Sequence, residues 1–237
     1  MSIEDRQPTP SETRNKAWSG QGPGFWNYEE GKRDRLPPEF ESFYQANRSK
    51  FKKVLDVGCG TGKFLIPMLQ DGLQVVGIEP SEGMRKGAED NLRAAGLEGQ
   101  ARIIEGDSTH LDFPDASVDM VFSKGAIHHN TWEGIQRSFR EVARVLKPKG
   151  TFIFQGRSIK DSGLARSERV EDFGATAKET SGWKKGVTQH YFTEEELRQL
   201  AAENGFEIVL GPEERVRNTD NPQKQHARWW VVYRKIT

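Results

Sequence analysis

Short apolar segments alternate with helix-like segments through the middle of this 237-residue chain. The strand-like segments are KVLDVG (53–58), QVVGIE (74–79), ARIIEG (101–106), VDMVFS (118–123) and GTFIFQ (150–155). Helix-like sequence lies between most of them. Strands that alternate with helices form parallel sheets, because each helix carries the chain back to start the next strand in the same direction. The sequence therefore predicts an α/β fold in which a mostly parallel sheet carries helices on both faces.

The clearest helix is predicted in the segment TWEGIQRSFREVARVLKPKG, residues 131–150. One apolar face is formed by residues at helical spacing: Ile135, Phe139, Val142 and Leu146. Asn130 or Thr131 can cap the amino end of this helix, and Pro148 and Gly150 are expected to end it.

The chain as a whole is predicted to have two parts. Residues 1–50 contain a polar tail, a stretch of aromatic residues among glycines, and a helix. Residues 51–237 form the main domain, with an insertion rich in Ser, Gly and charge at about 156–192 that is expected to cap the sheet edge. Thr193 and Glu196 have the spacing of a capping box. The last two strand-like segments have almost no helix between them and should pair antiparallel.

Composition excludes several classes of protein. Lys and Arg total 35 and Asp and Glu total 35, so the formal net charge is +0 and binding to nucleic acid through bulk charge is disfavoured. The single cysteine, Cys59, excludes an intrachain disulfide framework. The first residues lack the apolar core of a secretory signal, and no apolar run reaches the roughly 20 residues that a membrane span needs. These features predict a cytoplasmic protein without a membrane anchor.

The stretch VLDVGCGTGKF (54–64) is a strand followed by a glycine-rich turn that brings the backbone close to a ligand. Gly58, Gly60 and Gly62 spell G-x-G-x-G, whereas the dinucleotide fingerprint is G-x-G-x-x-G. Lys63 occupies the position of the third fingerprint glycine, which disfavours a nicotinamide cofactor. Turns of this kind bind dinucleotides or S-adenosylmethionine, and both ligands contain a ribose. Glu79 ends the next strand and can accept hydrogen bonds from two ribose hydroxyls of either ligand.

Later segments separate the two ligand classes. In order, LDVGCGTG, VVGIEPSEGM, IEGDS, FPDASVDMVFS and EVARVLKPKGTFIF occupy about residues 53–155. In this order and spacing the chain resembles the class I, Rossmann-like, S-adenosylmethionine-dependent methyltransferases. The resemblance implies a seven-stranded sheet in the order 3-2-1-4-5-7-6 and S-adenosylmethionine as the cofactor. The chain departs from the family pattern at Lys149, where many members have glycine, and at Glu79, which replaces an aspartate.

The chemistry of S-adenosylmethionine suits the residues at these positions. The helix expected to begin near Thr61 would present free N–H groups to the cofactor's carboxylate, and Asp56 can counter its ammonium. Gly58 and Gly60 let the backbone approach, with Cys59 as a small residue packed between them rather than a nucleophile. The resemblance implies roles for five further positions along the cofactor: the ribose for Glu79, the adenine for Met84, Asp107 and Ser108, and the methionine moiety for Ser123, beside Lys124.

Two groups of residues are candidates for the acceptor side. His128 and His129 follow the fourth strand, and one of them is expected to enter the site as a base or an orienting group, the alternative being a pocket-shaping loop histidine. Trp18, Phe25 and Trp26 either form a lid that contacts the substrate or pin the amino-terminal segment to the core. The spacing of the histidines indicates no metal site.

The function predicted is methyl transfer from S-adenosylmethionine to a small molecule. Three alternatives stay open: an RNA methyltransferase of the wobble-uridine type, suggested by SKGAIHH (123–129); a cofactor-binding protein without catalysis; and a nicotinamide oxidoreductase. Nucleic acid is the less favoured partner because no separate RNA-binding domain is visible. The sequence specifies neither the acceptor nor an oligomeric state.

Overall fold

A computed structural model of the chain describes residues 36–171, 175–180, 185–218 and 225–237. The predicted lid residues Trp18, Phe25 and Trp26 lie outside the described residues. No helix in the described ranges is long and apolar enough to cross a membrane.

The main sheet contains seven strands, five of them in the predicted region of strand–helix alternation. They are β1 (Lys53–Val57), β2 (Gln74–Ile78), β3 (Arg102–Ile104), β4 (Val118–Lys124), β5 (Leu146–Ser158), β9 (Phe206–Asn218) and β10 (Gln225–Lys235). Their order is β3-β2-β1-β4-β5-β10-β9, with the first five parallel and β10 antiparallel to both neighbours. Counted along the main sheet, this is the expected order 3-2-1-4-5-7-6, and the predicted fold class is confirmed.

Three additional strands correct the predicted strand count and come from the segment 156–192, here called the cap segment. They are β6 (Ser167–Arg169), β7 (Thr176–Glu179) and β8 (Thr188–Phe192). The chain thus has ten strands in its described residues. β8 pairs in parallel with the carboxyl end of β5, and β7 and β6 continue antiparallel beyond it. The cap segment therefore extends the sheet at the end where its parallel strands finish.

Five α-helices flank the strands in the described residues: α1 (Pro38–Asn47), α2 (Leu65–Gln70), α3 (Glu82–Ala94), α4 (Trp132–Val145) and α5 (Glu194–Glu203). The Thr131 hydroxyl caps α4 by accepting from Gly134 N at 3.2 Å. α4 ends at Val145, earlier than the predicted stop at Pro148, and β5 starts at Leu146. Proline disfavours helical backbone at the residue before it, so Lys147 is extended and the helix stops upstream. The predicted capping box at Thr193 and Glu196 is confirmed.

Two apolar cores lie on opposite faces of the sheet. One contains α4 and its aromatic neighbours, with the Phe139 ring 5.3 Å from that of Phe152. The other contains α1, whose fully buried Phe40 ring lies 5.6 Å from that of Trp230. Trp229 belongs to the first core and Trp230 to the second, because neighbouring residues of a strand face opposite sides. Burial of a side chain such as Phe40 contributes about 1.5–3 kcal/mol, which anchors α1 to the sheet.

Candidate functional site

One large cleft lies at the carboxyl ends of β1, β2 and β4. It encloses about 1020 Å³, including space open to solvent. Its lining residues are Asp56, Val57, Gly58, Cys59, Gly60, Thr61, Lys63, Phe64, Ile78, Glu79, Pro80, Met84, Gly106, Asp107, Ser108, Phe122, Lys124, Gly125, Ala126 and His129. The site thus brings together residues from four separate stretches of the sequence.

The glycine-rich turn forms the floor of the cleft. The N–H groups of Gly58 and Cys59 both donate to the Ile78 carbonyl, at 2.7 and 3.2 Å. Gly58 has a φ of +76°, and a Cβ at this position would lie 2.1 Å from the Cβ of Ala126. Both the backbone conformation and the close approach of the loop after β4 therefore require glycine here.

The helix after this turn starts later than the sequence predicts. An amino end near Thr61 was expected, but α2 begins at Leu65. Gly62 has a φ of +83°, a left-handed conformation that cannot belong to a right-handed helix, and residues 61–64 form turns instead. The predicted contact between a cofactor carboxylate and helical N–H groups at Thr61 is therefore not supported by the local backbone.

Two carboxylates lie side by side at the ends of β1 and β2. Glu79 is buried and accepts from Gly60 N at 3.1 Å through Oε2 and from Ser81 N at 3.0 Å through Oε1. Asp56 is 2% exposed, and its Oδ2 has no hydrogen-bond partner among the described residues. Burial, together with the neighbouring Glu79 carboxylate, raises the pKa of Asp56 to about 8, and Lys124 acts in the opposite direction. Asp56 is thus a buried acid whose charged form lacks a full set of partners.

Three of the residues implied for adenine binding converge on the far side of the cleft. Met84 lies in the first turn of α3, where the Ser81 hydroxyl caps the helix by accepting from Met84 N at 3.4 Å. Asp107 and Ser108 follow β3, and Asp107 Oδ1 accepts from Thr109 N at 2.9 Å. The Ser108 hydroxyl lies 2.9 Å from that of Ser138 on α4, so its side chain is engaged in the fold. All three residues line the cleft.

Ser123 is a predicted site residue that the structure places elsewhere. Its side chain is fully buried, its Oγ donates to the Val57 carbonyl at 3.0 Å, and it is not among the lining residues. The neighbouring residues Phe122 and Lys124 line the cleft instead, because alternate residues of β4 face the same side. Ser123 therefore joins β4 to β1 inside the sheet.

The two candidate histidines separate in the same way. His129 lines the cleft, whereas His128 does not, and their rings lie 4.2 Å apart. Both are buried. The loop that carries them is fixed at His129, whose N–H donates to the Ala126 carbonyl at 2.9 Å. Of the pair, His129 is the residue in position to meet a ligand.

An aromatic wall of the cleft was missed by the sequence reasoning. The rings of Phe64 and Phe122 lie 4.9 Å apart, and Lys124 Nζ lies 4.9 Å from the centre of the Phe64 ring. The period of two along β4 could have indicated that Phe122 and Lys124 share a face. Nothing local in the sequence indicates that Phe64, 58 positions earlier in the chain, packs against them.

Cys59 also lines the cleft but is not chemically activated. Burial raises the pKa of its thiol well above the usual range, and the carboxylates of Asp56 and Glu79 act in the same direction. A Cβ added to Gly77 would lie 2.7 Å from Cys59 Sγ, so the thiol fills space against β2. These contacts agree with a packing role. The described residues contain no cluster of three or more metal-ligating side chains.

Comparison with known proteins identifies the family of this chain. Residues 55–154 match the family model described as a methyltransferase domain. An uncharacterized methyltransferase of Geobacillus kaustophilus is 30% identical over 154 residues, which cover 65% of this chain and 68% of that protein. This chain belongs to the class I S-adenosylmethionine-dependent methyltransferases.

Solved methyltransferase structures share the fold. A SAM-dependent methyltransferase from Methanosarcina mazei superposes with a TM-score of 0.65 at 22% identity, covering 85% of this chain and 98% of that one. The Burkholderia thailandensis 1,6-didemethyltoxoflavin-N1-methyltransferase, solved with 1,6-didemethyltoxoflavin and S-adenosylhomocysteine, gives 0.66 at 16% identity and covers 99% of this chain and 94% of that one. At these identities the likeness concerns the fold alone.

The cleft of this methyltransferase fits S-adenosylmethionine, the cofactor of the family. Asp56 Oδ2 is a buried carboxyl oxygen with no hydrogen-bond partner among the described residues, and its ionised form suits the ammonium of the methionine moiety. The turn between Gly58 and Gly62 lacks the third fingerprint glycine that pyrophosphate binding uses. The cofactor prediction is confirmed.

Proposed function

We propose that this methyltransferase transfers its methyl group to a nucleophilic atom of a small-molecule acceptor. The supporting observation is the attachment of the cap segment to the loop that carries His129. His190 N in β8 donates to the His128 carbonyl at 2.7 Å, and Trp132 N donates to Glu171 Oε2 of the cap segment at 3.1 Å. A folded segment bonded beside the cleft favours an enclosed acceptor over a long polymer.

We assign the cofactor contacts from the positions of the lining residues. Asp56 pairs with the ammonium, Gly58 and Gly60 allow close approach of the backbone, and Glu79 accepts the ribose hydroxyls. Met84, Asp107 and Ser108 surround the adenine. When bound, the cofactor supplies an electrophilic methyl group on a positively charged sulfur.

The protein contributes position and exclusion of water to the transfer. The aromatic wall of Phe64 and Phe122 would surround the positively charged sulfur without adding anionic groups that favour the charged state before transfer. His129 orients the acceptor or takes its proton, since it is the one of the two neighbouring histidines that lines the cleft. Aligning two reactants in one cleft is itself a large part of the rate enhancement.

Glu79→Ala is expected to weaken binding of S-adenosylhomocysteine by about one to two orders of magnitude, since hydrogen bonds to charged groups contribute roughly 1.5–3 kcal/mol. The variant also loses the acceptor for Gly60 N and Ser81 N, which loosens the turn. Calorimetric titration measures the change, with Glu105→Ala, an exposed carboxylate after β3, as the matched control. An unchanged affinity in folded Glu79→Ala would rule out the ribose assignment.

The proposed function is tested by incubating the protein with methyl-labelled S-adenosylmethionine and a metabolite extract, and separately with total RNA. Label is expected in a low-molecular-weight product, and His129→Gln is expected to reduce the rate by about a hundredfold, the low end of general acid–base contributions. Label in RNA alone would favour the wobble-uridine alternative. Cofactor binding without label in either fraction would favour a non-catalytic binding protein.

A further inference from the structure

A fully buried histidine in the cap segment connects four elements next to the cleft. His190 is 0% exposed and lies in β8, directly opposite Thr176 of β7. Its Nδ1 lies 2.8 Å from Thr176 Oγ1, and its Nε2 lies 3.4 Å from Glu196 Oε2 at the start of α5. Nδ1 is therefore within hydrogen-bonding distance of a hydroxyl, and Nε2 lies beside a carboxylate but makes no hydrogen bond to the described residues, although the ring has no access to solvent.

Aromatic neighbours hold the same ring from its sides. The Trp132 ring, at the first residue of α4, lies 5.0 Å away, and the Phe192 ring lies 4.8 Å away in an edge-on arrangement. A phenylalanine or leucine could fill this space, but it would leave the Thr176 hydroxyl facing an apolar group. A buried polar group without a partner is costly, so the identity of residue 190 is tied to Thr176 and Glu196.

The backbone of His190 connects the fixed ring to the loop that borders the cleft. Its N–H donates to the carbonyl of His128 at 2.7 Å, and the next residue along the loop is His129, which lines the cleft. The ring fixes where residue 190 lies, and the amide of residue 190 fixes the peptide that precedes His129.

We propose that His190 is a positioning residue, which sets the direction of His129 by joining the cap segment to the loop after β4. The inference rests on the proposed role of His129 toward the acceptor. The cap segment and the loop after β4 then keep one relative arrangement, because Thr176 and Glu196 hold in place the residue whose N–H bonds to that loop. His190 itself has no contact with the cleft.

Thr176→Val is the sharpest test, because it removes one hydroxyl and keeps the side-chain shape and the β7–β8 backbone pairing. Small misplacements of a reacting group cost large factors in rate, up to about a hundredfold for a displacement of 1 Å. We expect a loss in kcat of about tenfold, with the affinity for S-adenosylhomocysteine within twofold of the wild type. Thr176→Ser, which restores the hydroxyl, should recover the rate.

Two measurements separate positioning from a merely structural role. In the His129→Gln background, Thr176→Val should cost less than twofold, because its effect passes through His129; equal losses in both backgrounds would overturn the proposal. The second measurement needs no acceptor. The five histidines give five imidazole signals in a histidine-labelled NMR spectrum, and His129→Gln identifies the signal of His129.

Addition of S-adenosylhomocysteine should shift the His129 signal in the wild type, and Thr176→Val should displace that signal before and after addition. The exposed His226, which does not line the cleft, serves as the internal control and should not move. A His129 signal that coincides in the two proteins would overturn the positioning role, whatever the acceptor is. Absence of label in every fraction, by contrast, would count against the proposed function and leave the NMR result to decide the role of His190.

Discussion

Gly58→Ala is expected to weaken binding of S-adenosylhomocysteine by at least a hundredfold. Left-handed backbone at a non-glycine residue costs about 1–3 kcal/mol when the surroundings hold it in place, and Gly58 has a φ of +76°. The added methyl group would also meet the Ala126 Cβ at 2.1 Å. Relieving that overlap moves either the turn or the loop after β4, and both line the cleft.

Gly72→Ala is the matched control, because it introduces the free-energy cost of left-handed backbone at a non-glycine residue without a steric collision. Gly72 has a φ of +83°, it lies outside the cleft, and nothing lies within 4 Å of a Cβ at that position. Gly72→Ala should lower the thermal midpoint by several degrees and leave the affinity unchanged. Gly60→Ala, with a φ of +54° and no nearby atom, tests the turn without the collision. Calorimetric titration that found Gly58→Ala within fivefold of the wild type would show that the turn does not approach the ligand.

The affinity for S-adenosylhomocysteine is expected to rise about tenfold per pH unit between pH 6 and about 8, and to level off above that value. Burial and the neighbouring Glu79 raise the pKa of Asp56 to about 8 in the empty cleft, so the acid is mostly protonated at neutral pH. Pairing with an ammonium requires the ionised form. Binding below pH 8 must therefore release a proton, which titration in two buffers of different ionisation enthalpy would detect.

Asp56→Asn should remove this slope and weaken binding at pH 8.5 by about two to three orders of magnitude, since breaking a buried ion pair costs about 3–5 kcal/mol. The same change should stabilise the empty protein at that pH. Because the folded-state pKa lies above the ordinary 3.8, Asp56 favours folding at low pH and this contribution is lost as the pH rises through about 8. The exposed Asp115→Asn is the control. A pH-independent affinity in the wild type would contradict the assignment of Asp56 to the ammonium.

Local sequence periodicity determined the fold class and the position of the cleft. Alternation of strands and helices specifies a parallel sheet, and a glycine-rich turn after the first strand places a ligand at its carboxyl edge. The turn also disfavoured a dinucleotide, because the spacing of Gly58, Gly60 and Gly62 is a property of neighbouring residues. Asp56 and Glu79 were found for the same reason, since each ends a strand that its own apolar pattern identifies.

The sequence by itself therefore determined the features of this methyltransferase that depend on a residue and its near neighbours. These are the helices and strands, their order along the chain and the carboxylates at the strand ends. Only the tertiary structure decided which side chains enter the cleft. Ser123 turns into the sheet toward Val57, His129 rather than His128 lines the cleft, and Phe64 packs against Phe122. The link from Thr176 through His190 to His128 joins residues 14 and 62 positions apart. Such contacts follow from how strands twist and pack against each other, and no local pattern of residues encodes them.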